Sequence, residues 1–193
     1  MRSTIKCLIA SGFLSVLVGC AGTDFVRPDA EGLRNGQTTY AQAQAKMGVP
    51  WREGSVVKND KTIKTAAYAY ASVGGKPRNE GVTAARALTL YFHDDVLVGH
   101  EFISSWAEDH TDFDQSRIKD IVKGKTDRAQ IIQLLGKPGG YYVYPMTKDT
   151  RGEAAVYAYL ETRGFSHSSK LLLVSFDASG LVTDVEFTSH GSK

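Results

Sequence analysis

The sequence predicts an α+β fold of two tandem modules, in each of which a short helix precedes strands of an antiparallel sheet. Three observations carry this. The stretch GQTTYAQAQAKMGVP at 36–50 returns 88 positions later as GKTDRAQIIQLLGKP at 124–138, with six of fifteen positions identical. Tyr68-Ala69-Tyr70 is answered by Tyr157-Ala158-Tyr159, and Phe92 before Leu97-Val98 by Phe176 before Leu181-Val182. The stretches after each copy also alternate with the period of two that half-buried strands show. Self-similarity of this kind marks a duplicated module.

The shared residues are those a short helix between two turns needs. Thr39 and Asp127 occupy the N-cap position, with Gln42 and Gln130 placed to close a capping box. Gly48 and Gly136 can close the helix, and Pro50 and Pro138 prevent its continuation. Each copy thus encodes a helix of about two and a half turns. Strands are expected at 65–72, 88–93 and 96–104 in the first copy, with His93-Asp94-Asp95 as a hairpin turn and 73–83 as a loop. In the second copy they are expected at 154–162, 170–176 and 181–188. Alternation gives each strand two faces without saying which is buried. Assigning the aliphatic face to the helices turns Tyr68, Tyr70, Tyr91, Tyr157 and Tyr159 outward, an aromatic surface of the kind enriched at protein interfaces. The opposite assignment puts the same tyrosines in the core. Trp51, after the first Gly-x-Pro, and Tyr141 and Tyr142, after the second, are further binding candidates at the helix-to-sheet connections.

Residues 1–19 read as a signal peptide. Arg2 and Lys6 form a basic start, and the apolar run of twelve at 7–18 is too short to span a bilayer, which takes roughly 20 residues. It ends in Leu17-Val18-Gly19-Cys20, which resembles the lipobox of bacterial lipoproteins and implies acylation of Cys20. Alanine, not aspartate, follows Cys20, which in enteric-type lipoproteins implies sorting to the outer membrane with the protein facing the periplasm. Residues 20–29 are the tether. Within it Pro28 biases Arg27 towards an extended conformation, and Arg27 is a candidate contact for lipid headgroup phosphate.

Removal of residues 1–19 takes two basic and no acidic residues, so the 23 Lys+Arg and 21 Asp+Glu of the whole chain become 21 of each. A net charge of zero gives no electrostatic basis for a nucleic-acid partner. Cys7 leaves with the signal and Cys20 is used for lipid, so no disulfide is expected. No HExxH, paired CxxC, GxSxG, Walker or dinucleotide motif is present, and the chain reads as a non-enzyme without cofactors. His110-x-Asp112-x-Asp114 has metal-ligand residue types, but Asp112 or Asp114 is well placed to cap the helix containing Ile118, and no metal site is assigned.

Arg27-Pro28-Asp29 near an acylatable Cys, Gly-x-Thr leading to Gly-x-Pro, and Glu80-Gly81-Val82-Thr83 before Leu88-Thr89-Leu90-x-Phe92 resemble the SmpA/OmlA family of small BamE-like outer-membrane lipoproteins. The resemblance implies two ααβββ modules, at 30–106 and 114–193 with a linker at 107–113, and helices packed on one face of the sheets. Only six residues separate Asp29 from Gly36, so the first helix of the first module is reduced. Ile118, Ile121 and Val122 at i, i+3 and i+4 mark the corresponding helix of the second. For function the resemblance implies a scaffold that binds envelope proteins and supports β-barrel assembly. The tandem layout is also similar to that of β-lactamase inhibitory proteins, which gives a second expectation, a periplasmic enzyme inhibitor.

Overall fold

The computed structural model describes residues 22–29 and 32–191. The expected signal peptide at 1–19 and the expected acylation at Cys20 lie outside the described residues. The chain runs through helix α1 (Tyr40–Met47) and strands β1 (Arg52–Lys58), β2 (Lys61–Ser72), β3 (Ala84–His93) and β4 (Val96–Ser104). A 3-10 helix (Gln115–Asp120) and helix α2 (Arg128–Leu135) follow, then β5 (Gly140–Val143), β6 (Glu153–Arg163), β7 (Ser166–Phe176) and β8 (Val182–Gly191). All eight strands form one antiparallel meander in sequence order.

This overturns the expected pair of ααβββ modules. One continuous sheet replaces two, and each repeat supplies one α-helix and four strands. The helix expected around Ile118 is a six-residue 3-10 helix, capped by Asp114, whose Oδ1 accepts from the Ser116 amide at 2.9 Å. Ile118 and Ile121 do pack against the core. Three apolar positions define only one turn, however, and a 3-10 turn presents them as well as an α-helix does. In the first repeat, 32–38 forms turns only. The additional strands are β1 and β5, both within stretches read as connectors. β1 is exposed along its whole length, so it has no alternation to read, and β5 is four residues long.

The repeated residues act as expected locally. Both capping boxes close, Thr39 with Gln42 and Asp127 with Gln130, and both helices end at a glycine with positive φ, 80° at Gly48 and 81° at Gly136. Each Gly-x-Thr segment also pairs with the last strand of its own repeat. The Gly36 amide donates to Leu97 O and the Leu97 amide to Thr38 O, both at 2.8 Å. The Gly124 amide donates to Val182 O at 2.7 Å, and the Val182 amide to Thr126 O at 2.9 Å. The duplicated motif therefore ties the start of each helix to the final strand of its repeat.

Two cores lie on the helix side of the sheet. Ala43 of α1 and Leu33 pack on Ala66, Tyr68, Leu88, Leu90, Phe92, Leu97 and Phe102. Ile131 and Leu135 of α2, with Phe113, pack on Ala155, Tyr157, Leu172, Val174 and Phe176. Burying each such large apolar side chain contributes about 1.5–3 kcal/mol.

The tyrosine face of β2 and β6 is therefore the helix face, and the outward orientation expected for Tyr68, Tyr70, Tyr157 and Tyr159 is corrected. Tyr68 is 7% exposed and Tyr157 2%. Their hydroxyls donate to helix-end carbonyls, Tyr68 to Gly48 O at 3.1 Å and Tyr157 to Gly136 O at 2.9 Å. A helix end leaves carbonyls without intrahelical partners, and a tyrosine fills the core while satisfying one of them. The alternating alanines have neither the volume nor the hydroxyl.

Candidate functional site

The two sides of the sheet differ in what covers them. Both α-helices, the 3-10 helix and Phe25 of the N-terminal segment belong to the clusters on the helix face. The other face of β2 and β3 carries Ala67, Ala69, Ala71, Ala85, Ala87, Thr89 and Tyr91, all half-buried, and no described helix lies over it. Cross-strand pairs such as Ala69 with Ala87 and Ala71 with Ala85 make its floor flat and small. Strand geometry sends successive side chains to opposite faces, so every large residue given to the helices leaves a small one here.

The middle of this open face is a packed polar cluster where the repeats meet. β4 and β5 pair through Gly99 and Tyr142. A β-carbon at Gly99 would lie 2.6 Å from the Tyr142 ring, so only glycine admits that ring. Tyr142 meets Tyr91 edge to face, with ring centroids 5.4 Å apart, and its hydroxyl donates to Glu101 Oε2 at 2.9 Å. Burial pushes the Glu101 carboxyl above the usual range, opposed by its bonds to Tyr142 and Tyr91. Burial, reinforced by Glu101, pushes the Tyr91 hydroxyl up to about 12. Ala154, Val156 and Ala158 of β6 continue the cluster, with Ile103, Leu173 and Met146 against them. Both ends of the junction are tied. The Asn59 side chain donates to Pro145 O at 2.9 Å and Thr147 O at 2.7 Å, and at the other end the Thr83 amide donates to Thr162 O at 2.9 Å.

Among the eight aromatic residues predicted as binding sites, Tyr91 and Tyr142 reach the open face. Tyr68 and Tyr157 are helix-face core. Tyr70 stacks on Trp106 with centroids 6.0 Å apart, and the Tyr159 hydroxyl donates to Glu161 at 3.2 Å. Tyr141 packs against the second core, and Trp51 is 62% exposed at the α1–β1 connection. Arg27 turns into the molecule. It donates to Pro138 O at 2.6 Å and lies 5.5 Å from the Phe102 ring centroid. Arg27 thereby lines a crevice with Asn35, His100, Lys137 and Tyr141. Burial, with Arg27 and Lys137 nearby, pushes the His100 imidazole down to about 4, so it is neutral at pH 7.

The residues His110, Asp112 and Asp114 diverge. His110 lies 3.0 Å from Arg78, Asp112 pairs with Lys170 at 2.6 Å, and Asp114 caps the 3-10 helix. Among the described residues no group of three or more His, Cys, Asp or Glu is placed to hold a metal ion.

Two cations on the helix face, Arg86 buried and Lys170 half-buried, were missed from the sequence. Arg86, opposite Tyr70, has a side chain only 2% exposed, paired with Asp24 at 2.9 Å, Asp109 at 2.8 Å and Glu108, and lying over the Trp106 ring. Lys170, opposite Tyr159, pairs with Asp112 and lies 4.7 Å from the Phe113 ring centroid. They occupy the same repeat position, so the stretch 107–113 is a strap that holds both repeats. Aligning Arg86-x-Leu88-x-Leu90-x-Phe92 with Lys170-x-Leu172-x-Val174-x-Phe176 would have exposed a charge repeated on an apolar face.

No protein-family model matches this chain, and no curated protein matches it significantly. The resemblance to the SmpA/OmlA family therefore rests on the motifs alone. Among solved structures, the chain is similar to a provisionally assigned beta-lactamase inhibitor protein from Streptococcus mutans. The identity is 12% and the TM-score 0.41, over 78% of this chain and 82% of that one.

Proposed function

We propose that this chain is a non-catalytic lipoprotein of the bacterial envelope, anchored through Cys20, which binds a protein partner on the open face of its sheet. The observation that carries the reading is the asymmetry of that sheet. Helices, N-terminal segment and strap all pack on one face, while the other offers an alanine-floored surface beside Tyr91. Small side chains let a partner's own side chains approach the backbone closely, and the aromatic at the margin supplies area at low entropic cost. Sorting to the outer membrane, facing the periplasm, follows from Ala21 after Cys20.

The test is a pull-down from crosslinked envelopes with native protein and with Ala69→Arg and Ala87→Arg, each of which puts a long charge on the open face. The expected result is a partner retained by the native protein and lost with both variants, while circular dichroism stays unchanged. A partner retained by both variants would remove the open face from the reading. β-Barrel assembly components among the face-dependent partners would point to the scaffold role. A soluble periplasmic enzyme would point to the inhibitor role.

A further inference from the structure

β4 runs along the line where the two repeats meet, and on its helix side lies a crevice of about 270 Å³. Arg27 and Pro28 of the N-terminal segment border it, as does the turn 137–141 that follows α2. His100 and Phe102 reach it from β4, two residues apart and so on one face, and Phe102 belongs to the first core. Arg34 and Lys137 stand exposed at the rim, and half-buried Pro28, Tyr141 and Val143 give apolar walls.

The cations here differ from those paired elsewhere on the helix side. Arg86, Arg128 and Lys170 each have a carboxylate partner, whereas among the described residues Arg27, Arg34 and Lys137 have none. The carboxylates nearby are already engaged. Glu153, in the same lining, pairs with Arg128. Asp29 pairs with Lys46 at 3.2 Å and accepts from the Gly32 amide at 2.6 Å, and Asp109 pairs with Arg86 at 2.8 Å. Arg27 is the enclosed member of the three. Its Nη2 donates to Pro138 O at 2.6 Å and lies 3.4 Å from Lys137 O, which leaves Nε and Nη1 without an acceptor among the described residues. Burial pushes the Arg27 guanidinium below its ordinary value, and Asp109, Tyr141 and Tyr157 offset this only in part. At Arg86 burial acts in the same direction, but its carboxylates outweigh it and the shift is upward. His100 Nδ1 and Asn35 Oδ1 are also buried without a hydrogen-bond partner among the described residues, so the lining is not a completed polar network.

We propose that this crevice binds a carboxylate joined to a small apolar group, with the carboxylate on Arg27, Arg34 and Lys137 and the apolar part against Pro28, Tyr141 and Val143. A guanidinium with two free donors matches the two oxygens of a carboxylate, and such charge-assisted bonds are about twice as strong as neutral ones. Burial around Arg27 weakens the solvent screening of that pairing. A bare inorganic anion would satisfy the cations and leave the walls wet, so the apolar group distinguishes the two. At about 270 Å³ the space falls below the range of about 300–1,000 Å³ that holds drug-sized ligands, so the ligand is small. The crevice lies across the sheet from the open face, and both can be occupied at once.

The test is titration calorimetry on the full-length protein in non-ionic detergent at pH 7, with isovalerate, its uncharged amide and inorganic phosphate as probes. Isovalerate should bind with a Kd below about 1 mM, and the amide and phosphate at least about tenfold more weakly. Arg27→Met should weaken isovalerate at least about tenfold. Lys137→Met should weaken it about two- to fivefold, as an exposed charge does, and Lys76→Met, at an exposed lysine outside the crevice, should leave it unchanged. Arg27 also ties the turn after α2, so Lys137→Met and Arg34→Met, both at exposed positions, carry the test if Arg27→Met unfolds the protein. No saturable binding of isovalerate, or equal binding of its amide, would show that Arg27 only ties that turn and would overturn the inference. Phosphate bound as tightly as isovalerate would remove the apolar group from the ligand and overturn it as stated. Equal weakening by Lys76→Met and Lys137→Met would reduce the binding to net charge, which also overturns it.

Discussion

The two repeats are alike where each α-helix meets its own sheet and unlike where one repeat meets the other. Capping boxes, closing glycines, tyrosine-to-helix bonds and cations paired to the strap recur at matched positions. The first strands diverge most. β1 is the exposed edge of the sheet, whereas β5, from the same repeat position, lies between β4 and β6. Trp51-Arg52 precede and open β1, while Gly139-Gly140 stand at the equivalent positions of β5. A β-carbon at Gly139 would lie 2.4 Å from Phe102 O, and one at Gly140 1.9 Å from His100 O. The glycines exist because the backbone of β4 passes there, and β1 has no such neighbour.

Making the second copy like the first should therefore break the molecule at its junction. Gly140→Arg has to push β4 and β5 apart and is expected to cost more than about 4 kcal/mol, in the range of severe overpacking and lost pairing. The mirror change, Arg52→Gly, on an exposed edge strand should cost no more than about 1 kcal/mol. Urea unfolding of both variants checks this, and equal losses would show that the junction is not the constraint.

The strap gives the next comparison. Arg86→Leu removes a guanidinium from three carboxylates, of which only Asp109 is largely buried, and should cost about 3 kcal/mol, the lower end for breaking a buried pair. Lys170→Leu, with one carboxylate and a more exposed side chain, should cost about 1–2 kcal/mol. Equal losses in thermal unfolding would mean that the N-terminal Asp24 and Glu108 contribute nothing to the first clamp.

How much of this was legible follows from the same contrast. Self-contacts of a repeat are local, so capping residues, turns and six of the eight strands could be read from spacing and alternation. Contacts between repeats are not local. The glycine pair at 139–140 stood in plain sight as a mismatch with Trp51-Arg52, yet its meaning depended on β4 passing nearby. The buried face was unreadable for a different reason. In β6 both sides are buried, with Val156 and Tyr157 each covered, so alternation there separates two cores instead of core from water. The Tyr91–Glu101–Tyr142 cluster joins three strands, and no sequence window contains it.

The matched hydroxyls test equivalence directly. Tyr68→Phe and Tyr157→Phe each leave a helix-end carbonyl without its partner and should each cost about 1 kcal/mol. Agreement within about 0.5 kcal/mol would support one packing solution used twice, and a larger gap would show that the helix end at Gly48 or Gly136 is held by something else.

The smallest effect, and the one with opposite sign, concerns a pair of glutamates. Glu101 on β4 faces Thr89 and Glu186 on β8 faces Leu173, and Thr89 is related to Leu173 by the spacing that relates Phe92 to Phe176. Glu186 is exposed on the edge strand, whereas Glu101 is enclosed because β5 lies beside β4. Burial raises the folded-state pKa of Glu101, so the native protein binds more protons than the unfolded chain above the unfolded value of about 4.3. Stability from this group is accordingly lost as pH rises through the folded pKa and is fully present below the unfolded one. Glu101→Gln, which keeps an acceptor for Tyr142, should raise stability at pH 7 by less than about 1 kcal/mol and leave it unchanged near pH 4. Glu186→Gln should do neither, as an exposed substitution within about 0.5 kcal/mol. If the two variants have the same pH profile in urea unfolding, the junction does not alter the ionisation of Glu101. The difference between the repeats would then be one of packing alone.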